Sequence, residues 1–350
     1  MLSKILEDDF IRITNDYDFS ELKGKSFFIT GATGLLGSQI LLYLDYLNIT
    51  KEYGIKLYAL ARSKDKVKKV FKDEAIEQRI CFVYGDVLAL PEINFKIDYI
   101  IHGASITASK EFISHAVETI DIAVNGTLNM LKLAKTKNIK SFVYLSSMEA
   151  FGITDGKSEV KEEDLGYIDV ANPRSSYMES KRMCENLCVC FSAEYGVNVK
   201  AIRLTQTLGA GIDYNDSRVA AYFARCVLEG DDIVLKTEGK TKRPLLYSSD
   251  AISAILTVLL HGNDREIYTA ANPETFKSIK EIAELIVDKI ANNAIKLRFE
   301  IKEIPAEYAQ NLNLNLNLNI DKLSSLNWKP VIGIEDAYRK LIRSMQNENS

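Results

Sequence analysis

SFFITGATGLLGS, residues 26–38, combines three signals within thirteen positions. Phe27 to Thr30 is a short, continuous apolar run of the kind that forms a buried strand. Glycines follow at Gly31, Gly34 and Gly37, and apolar residues then recur at helical spacing through Leu35, Leu36, Ile40, Leu41 and Leu44. Strand, tight glycine turn and helix together form a cradle for a dinucleotide pyrophosphate. The first glycine makes the turn, the second lets backbone approach the phosphates, and the third lets helix pack on strand. The helix N-terminus supplies free N–H groups and partial positive charge. Three glycines alone are common in loops, and the flanking strand and helix make this instance specific. Gly31, Thr33, Gly34, Leu35, Leu36 and Gly37 are therefore expected against the cofactor.

Working outward, short apolar runs recur at 55–61, 79–84, 97–101, 141–146 and 197–203, with helical patterns at 120–135 and 175–195. Strands of this type alternating with helices predict an α/β fold, a doubly wound parallel sheet covered on both faces, with its ligand at the carboxyl ends of the strands. Residues 1–24 read as a short helix and irregular leader packed on the outside, and 25–205 as the dinucleotide-binding domain. Residues 206–350 read mainly as a smaller α/β C-terminal substrate-binding region, with helices near 218–228, 250–260 and 278–290 and a strand near 233–235. Residues 151–173 are polar and acidic and read as a loop over the site. The repeat NLNLNLNLN, 311–319, fits either an exposed strand with alternating faces or a connector. Residues 320–345 read as helical, with a turn at Trp328-Lys329-Pro330.

Bulk properties exclude several classes of function. The 350 residues are 47% hydrophobic, enough for a large core without staples, and the net charge of −4 is spread along the chain. No basic field suits nucleic acid, and no apolar run suits a membrane span. The five cysteines form no CxxC pair, which predicts buried free thiols in a reducing cytoplasm. His102, His115 and His261 are scattered without metal-ligand spacing, so no metal is expected.

Three residues carry chemistry. Ser147 closes the strand at 141–146, and Tyr177 and Lys181 lie four apart on the next helix, one turn from each other on one face. A nearby ammonium favours phenolate, so Lys181 is expected to lower the pKa of Tyr177. The phenolate could then take a hydroxyl proton while hydride leaves for a nicotinamide, with Ser147 orienting that oxygen. A surface Tyr and Lys at ordinary helical spacing is the plain alternative.

With these motifs in place, the chain resembles the extended short-chain dehydrogenases/reductases of the NAD(P)-dependent nucleotide-sugar epimerase/dehydratase type, over residues 24 to 345. GATGLLG matches the cofactor turn of the Rossmann-type domain. GDV at 85–87 matches the segment meeting adenine, through Asp86 and Val87, and HGAS at 102–105 matches the turn near the cofactor, through Gly103, Ala104 and Ser105. Ser147, Tyr177 and Lys181 match the catalytic trio, and Tyr177 and Lys181 also touch the cofactor in the family. Ala123 departs from the family's usual Asn. Arg243 in TKRPLLYSSD matches an arginine that binds the sugar-nucleotide pyrophosphate.

The resemblance implies transient oxidation of a nucleotide sugar, usually at carbon 4, to a ketone. Glu149 in SSMEAFG stands where the dehydratases carry the base beside the ketone, and Met148 replaces the acid that some of them use. Arg218 in NDSRV resembles a decarboxylase segment, but the arginine of the preceding turn is missing. The implied substrate set is Ser147, Met148, Glu149, Arg218 and Arg243. The expected reaction is epimerisation or dehydration with Glu149 as base. A UDP-glucuronate-decarboxylase-like lyase, a net NADPH-dependent keto-sugar reductase and, remotely, a non-catalytic NADP-binding sensor are the alternatives. Arg62 and Ser63 after the second strand suit a 2′-phosphate and favour NADP over NAD. A homodimer through the helices around 124–134 and 175–195 is implied by the resemblance.

Overall fold

The computed structural model describes residues 2–73, 75–109, 111–154, 157–301 and 315–349. Helix α1 (Lys4–Asp16) starts at Ser3, whose Oγ accepts the Leu6 N–H. Where the sequence reading expects a short helix on the outside, α1 runs thirteen residues and buries Phe10 and Ile13. Strand β1 (Ser26–Thr30) is buried along its whole length and leads through the glycine turn into α2 (Leu35–Lys51). Next come β2 (Lys56–Ala61), α3 (Lys64–Val70), α4 (Ile76–Arg79), β3 (Ile80–Tyr84), β4 (Tyr99–His102), α5 (Glu111–Ser114), α6 (Ala116–Lys137), β5 (Ser141–Ser147), α7 (Ser175–Tyr195) and β6 (Val199–Leu204).

These strands form one sheet of order β10-β6-β5-β4-β1-β2-β3, parallel throughout. Its edge, β10 (Ile267–Ala270), comes from late in the chain. Strand order reverses between β1 and β4, where Thr30 pairs with His102, so the turns at Gly31 and Gly103 meet at the switch point. In such sheets the ligand crevice lies there. Helices α1, α2 and α9 (Ser248–His261) share a core with one face, and α6 and α7 pack on the other.

The remainder of the C-terminal half has its own core of Phe223, Ile233, Leu245, Ile282, Tyr338 and Leu341. It joins α8 (Val219–Glu229), β8 (Ile233–Leu235) paired with β12 (Leu297–Phe299), and the set β7 (Gln206–Leu208), β9 (Lys242–Tyr247) and β11 (Asn272–Ser278). The helix expected over 278–290 begins with a reciprocal cap between Ser278 and Glu281, runs as α10 (Ile279–Leu285), and widens into a π turn over Ile286–Ile290. Helix α11 (Asp321–Ser324) precedes the buried Trp328, and α12 (Ile334–Asn349) closes the description. No helix among the described residues is long and apolar enough to cross a membrane.

Of the repeat at 311–319, positions 311–314 lie outside the described residues. The remainder forms a strap with a neighbour on each side. Leu316 N donates to Lys242 O at 3.0 Å, Val160 N to Asn317 O at 2.8 Å, and Asn319 N to Val160 O at 2.8 Å. Leu316 and Leu318 are buried with Met148, Phe151 and Val160, while Asn317 Nδ2 donates to Ser158 O. This alternation is that of a strand with one apolar face. It ties the loop after β5 to β9, the strand that carries Arg243.

Candidate active site

The cofactor cradle follows from two glycines. Gly31 has φ +71°, and a Cβ there would stand 2.7 Å from the Gly103 carbonyl; at Gly37 it would stand 2.2 Å from Gly31 O. Neither position admits a side chain, so the turns after β1 and β4 close together. Helix α2 starts at Gly34 with no side-chain cap, which leaves its first-turn N–H groups for an anion. Thr33, Leu35 and Leu36 are half-buried around this turn. The N–H groups of Gly103 and Ala104 each donate to Thr30 Oγ1 at 3.2 Å, and His102 Nδ1 lies 2.6 Å from the same oxygen. Burial, aided by the charge of Lys181, pushes His102 down to about 3, so it is neutral and serves as a brace. Ser105 Oγ donates to Ile106 O. Asp86 Oδ1 accepts the Leu88 N–H, and Val87 packs on Gly126. Arg62 and Ser63 lie exposed after β2, where Ser63 Oγ also caps α3 by accepting Lys66 N. The side-chain-free crossing and the uncapped helix fit a dinucleotide pyrophosphate. Among the described residues no group of acidic, His or Cys side chains could hold a metal.

The reactive groups converge at the carboxyl end of β5. Ser147 ends that strand, and its Oγ accepts the Glu149 N–H at 3.2 Å. Tyr177 and Lys181, from the first turns of α7, are buried beside it. Lys181 Nζ donates to Leu145 O at 2.8 Å and lies 5.5 Å from the centre of the Tyr177 ring. The expected lowering of the Tyr177 pKa is not what the protein shows. Burial raises it, the charge of Glu149 adds to the rise, and Ser147 and Arg174 only partly oppose it. Lys181 is itself pulled down to about 8 by burial, against the opposing pull of Cys184 and Glu185. Ala123, in place of the family's Asn, is buried, and its carbonyl accepts from Cys184 Sγ at 3.2 Å. Of the cysteines, Cys184, Cys188 and Cys226 are buried as expected, whereas Cys81 and Cys190 are exposed; all are unpaired.

The substrate set divides. Glu149 and Arg243 act on one another electrostatically, and burial presses Arg243 below its usual value. Met148 instead turns into the small core under the strap, where its sulfur accepts from Thr205 Oγ1. Arg218 gives its guanidinium to Asp216 at the exposed start of α8.

Two residues were not foreseen. Arg174, 2% exposed at the entry to α7, donates from Nη2 to Glu149 Oε2 at 2.7 Å. Its face lies 4.6 Å from the centre of Phe112, whose ring stacks on Tyr177 at 4.2 Å and 9°. A cation at a helix N-terminus opposes the macrodipole, so the Arg in NPRSSY was an available signal. Phe112 carries no comparable signal in the sequence.

The model of the NAD-dependent epimerase/dehydratase family matches residues 27–271. The chain belongs to that family. As a member it is a nicotinamide-dinucleotide enzyme. UDP-glucuronic acid decarboxylase 1 of Danio rerio is 28% identical over 333 residues, covering 94% of this chain and 74% of that protein. Among solved structures, a UDP-N-acetylglucosamine 4-epimerase from Methanobrevibacter ruminantium M1 superposes with TM-score 0.78 at 19% identity, covering 93% of this chain and 99% of that one. A UDP-glucuronic acid 4-epimerase from Bacillus cereus, complexed with UDP-glucuronic acid and NAD, gives 0.73 at 17%, covering 92% and 99%. These likenesses establish the shared fold of this epimerase/dehydratase.

Proposed function

We propose that this family member oxidises a nucleotide sugar transiently to its 4-ketone and then alters the carbons beside it. The observation that carries this reading is the convergence of Ser147, Tyr177, Lys181 and Glu149 at the carboxyl end of β5, next to the glycine cradle. Tyr177, once ionised, takes the proton of the sugar hydroxyl, with Ser147 orienting that oxygen. Lys181, as an ammonium, stabilises the phenolate that accepts this proton. A bound dinucleotide would supply the acceptor for hydride from the sugar carbon and its later return.

For the step after oxidation, decarboxylation of a uronate is the reading we favour. A 4-ketone makes the sugar a β-keto acid: the bond to the carboxylate carbon breaks, carbon dioxide leaves, and the electron pair moves onto the ketone oxygen. Supporting it are the buried guanidinium of Arg174 bound to Glu149, with donors left over, and the likeness to a named decarboxylase. Epimerisation or dehydration with Glu149 as base is the second reading, favoured by the action of Glu149's charge on Tyr177. Incubation with UDP-, CDP-, GDP- and dTDP-sugars in heavy water, without reductant, separates them. Loss of the mass of carbon dioxide indicates decarboxylation, and loss of water indicates dehydration. An unchanged skeleton with deuterium beside the ketone carbon indicates epimerisation. Turnover only after NADPH is added to a keto-sugar would refute the self-recycling reading.

NADP is the proposed cofactor form, supported by the exposed Arg62 and Ser63 at the end of β2. Arg62→Glu is expected to weaken NADPH binding about tenfold or more and NADH little; equal effects in a fluorescence titration would refute the preference. Residues 206–350 are assigned mainly to substrate, through Arg243. A homodimer through α6 and α7 is proposed on the exposed Val117, Ile120 and Met183, with sedimentation as its check. The five unpaired cysteines support a reducing cytoplasm.

A further inference from the structure

Arg174 is 2% exposed, yet only one of its three guanidinium nitrogens has a partner. Nη2 donates to Glu149, while Nε and Nη1 are buried without one. Arg243 likewise holds a buried Nε without a partner. Buried donors are normally satisfied, and a buried charge normally has its counter-charge. Arg174 thus makes one charged contact and leaves two buried donors unmet, a deficit that an anion would fill. The position of the deficit is informative. Through Phe112, Arg174 belongs to the same stack as Tyr177, the residue that meets the reacting hydroxyl. The missing anion therefore belongs at the sugar end of the substrate, where Tyr177 meets the reacting hydroxyl.

We propose that Arg174 is a positioning and binding residue: it holds Glu149 in the free enzyme, and its two remaining N–H groups take a carboxylate of the sugar when substrate enters. The inference rests on the nucleotide-sugar reading above. In the free enzyme Glu149 is held by Arg174. With the substrate carboxylate bound, the guanidinium is shared between two anions and its hold on Glu149 loosens. Arg174 thus couples recognition of a charged sugar to the arming of the neighbouring carboxylate.

The test uses the dinucleotide-loaded enzyme and calorimetric binding of UDP, UDP-glucose and UDP-glucuronate, followed by turnover. Arg174→Gln is expected to weaken UDP-glucuronate about tenfold to hundredfold while leaving UDP and UDP-glucose within about twofold. Arg174→Lys is expected to recover part of that loss, because an ammonium keeps the charge but not the fork. Equal weakening of all three ligands would assign the arginine to the diphosphate and overturn the proposal, as would no change in any. Failure of the unaltered enzyme to bind any of the three would instead bring down the nucleotide-sugar reading itself. Should Arg174→Gln fail to fold, the double variant Arg174→Gln, Glu149→Gln removes both charges together. Compared with Glu149→Gln alone, it must show the same selective loss.

Discussion

Tyr177 is the residue on which the chemistry turns, and its setting is less permissive than its spacing from Lys181 suggests. Burial and the charge of Glu149 hold the phenol protonated in the free enzyme. Tyr177→Phe keeps the stack on Phe112 and removes only the O–H, so sugar oxidation is expected to fall about hundredfold to ten-thousandfold with dinucleotide affinity unchanged. Single-turnover absorbance of the reduced cofactor reads that directly. Lys181, brought down to about 8, adds a pH signature. Below pH 8 it is an ammonium able to stabilise phenolate; above, it loses the proton, and turnover is expected to decline through that pH. A profile flat to pH 10 would exclude the role. Ser147, Tyr177 and Lys181 were legible because a strand end and an i, i+4 pair are local patterns. The Arg174–Glu149 pair was not, because it joins residues 25 apart across a loop. The sign of the Tyr177 shift was missed because burial is set by α5 and α7 together and is invisible in the spacing.

At the scale of elements, the glycine turn and strand β6 make opposite demands. Gly37→Ala would drive a methyl into Gly31 O, and the turn can yield only by moving α2 off β1. It is expected to cost about 1–3 kcal/mol of stability in denaturant unfolding and to weaken dinucleotide binding in the same variant. Strand β6 carries Lys200, 2% exposed, with Nζ donating to Ser141 Oγ at 2.8 Å. Burial lowers it to about 8 from 10.5. Below pH 8 folded and unfolded chains both hold this proton, so it adds no slope. From pH 8 to about 10.5 the unfolded chain alone holds it, and stability rises with pH. Lys200→Met is expected to flatten that rise and to leave Tm at pH 7 equal or higher, measured by thermal unfolding across pH. The first six strands were legible because each is an apolar run bounded by turn residues. Strands β9 and β11 were not, since Pro244 and Pro273 mark them as non-strand, and β7, β10 and β12 are only three or four residues long.

Across the whole molecule, the strap at 315–319 links parts of the chain that the sequence could not connect. It lies between Lys242, beside Arg243, and Val160, in the loop that leads from Glu149 to Arg174. Leu318, 1% exposed, fills the core beneath Met148 and Phe151. Leu318→Ala is expected to cost about 2–5 kcal/mol and to lower turnover beyond the loss of folded protein, with dinucleotide affinity preserved. Unaltered kcat per folded molecule would show that the strap does not reach the site. The alternation within the strap also sets what kind of length change it tolerates. Because its unit is one Asn followed by one Leu, removing or adding a whole unit upstream of Asn319 puts the same residue types back at every place facing Val160 and Lys242. Asn319 itself is anchored by its reciprocal hydrogen bonds with Asp321. A change of a single residue would exchange leucine for asparagine under Met148 and bury an amide there. Length variants of this protein should therefore fall into two classes by parity, the even ones silent and the odd ones unfolding the loop over the active site.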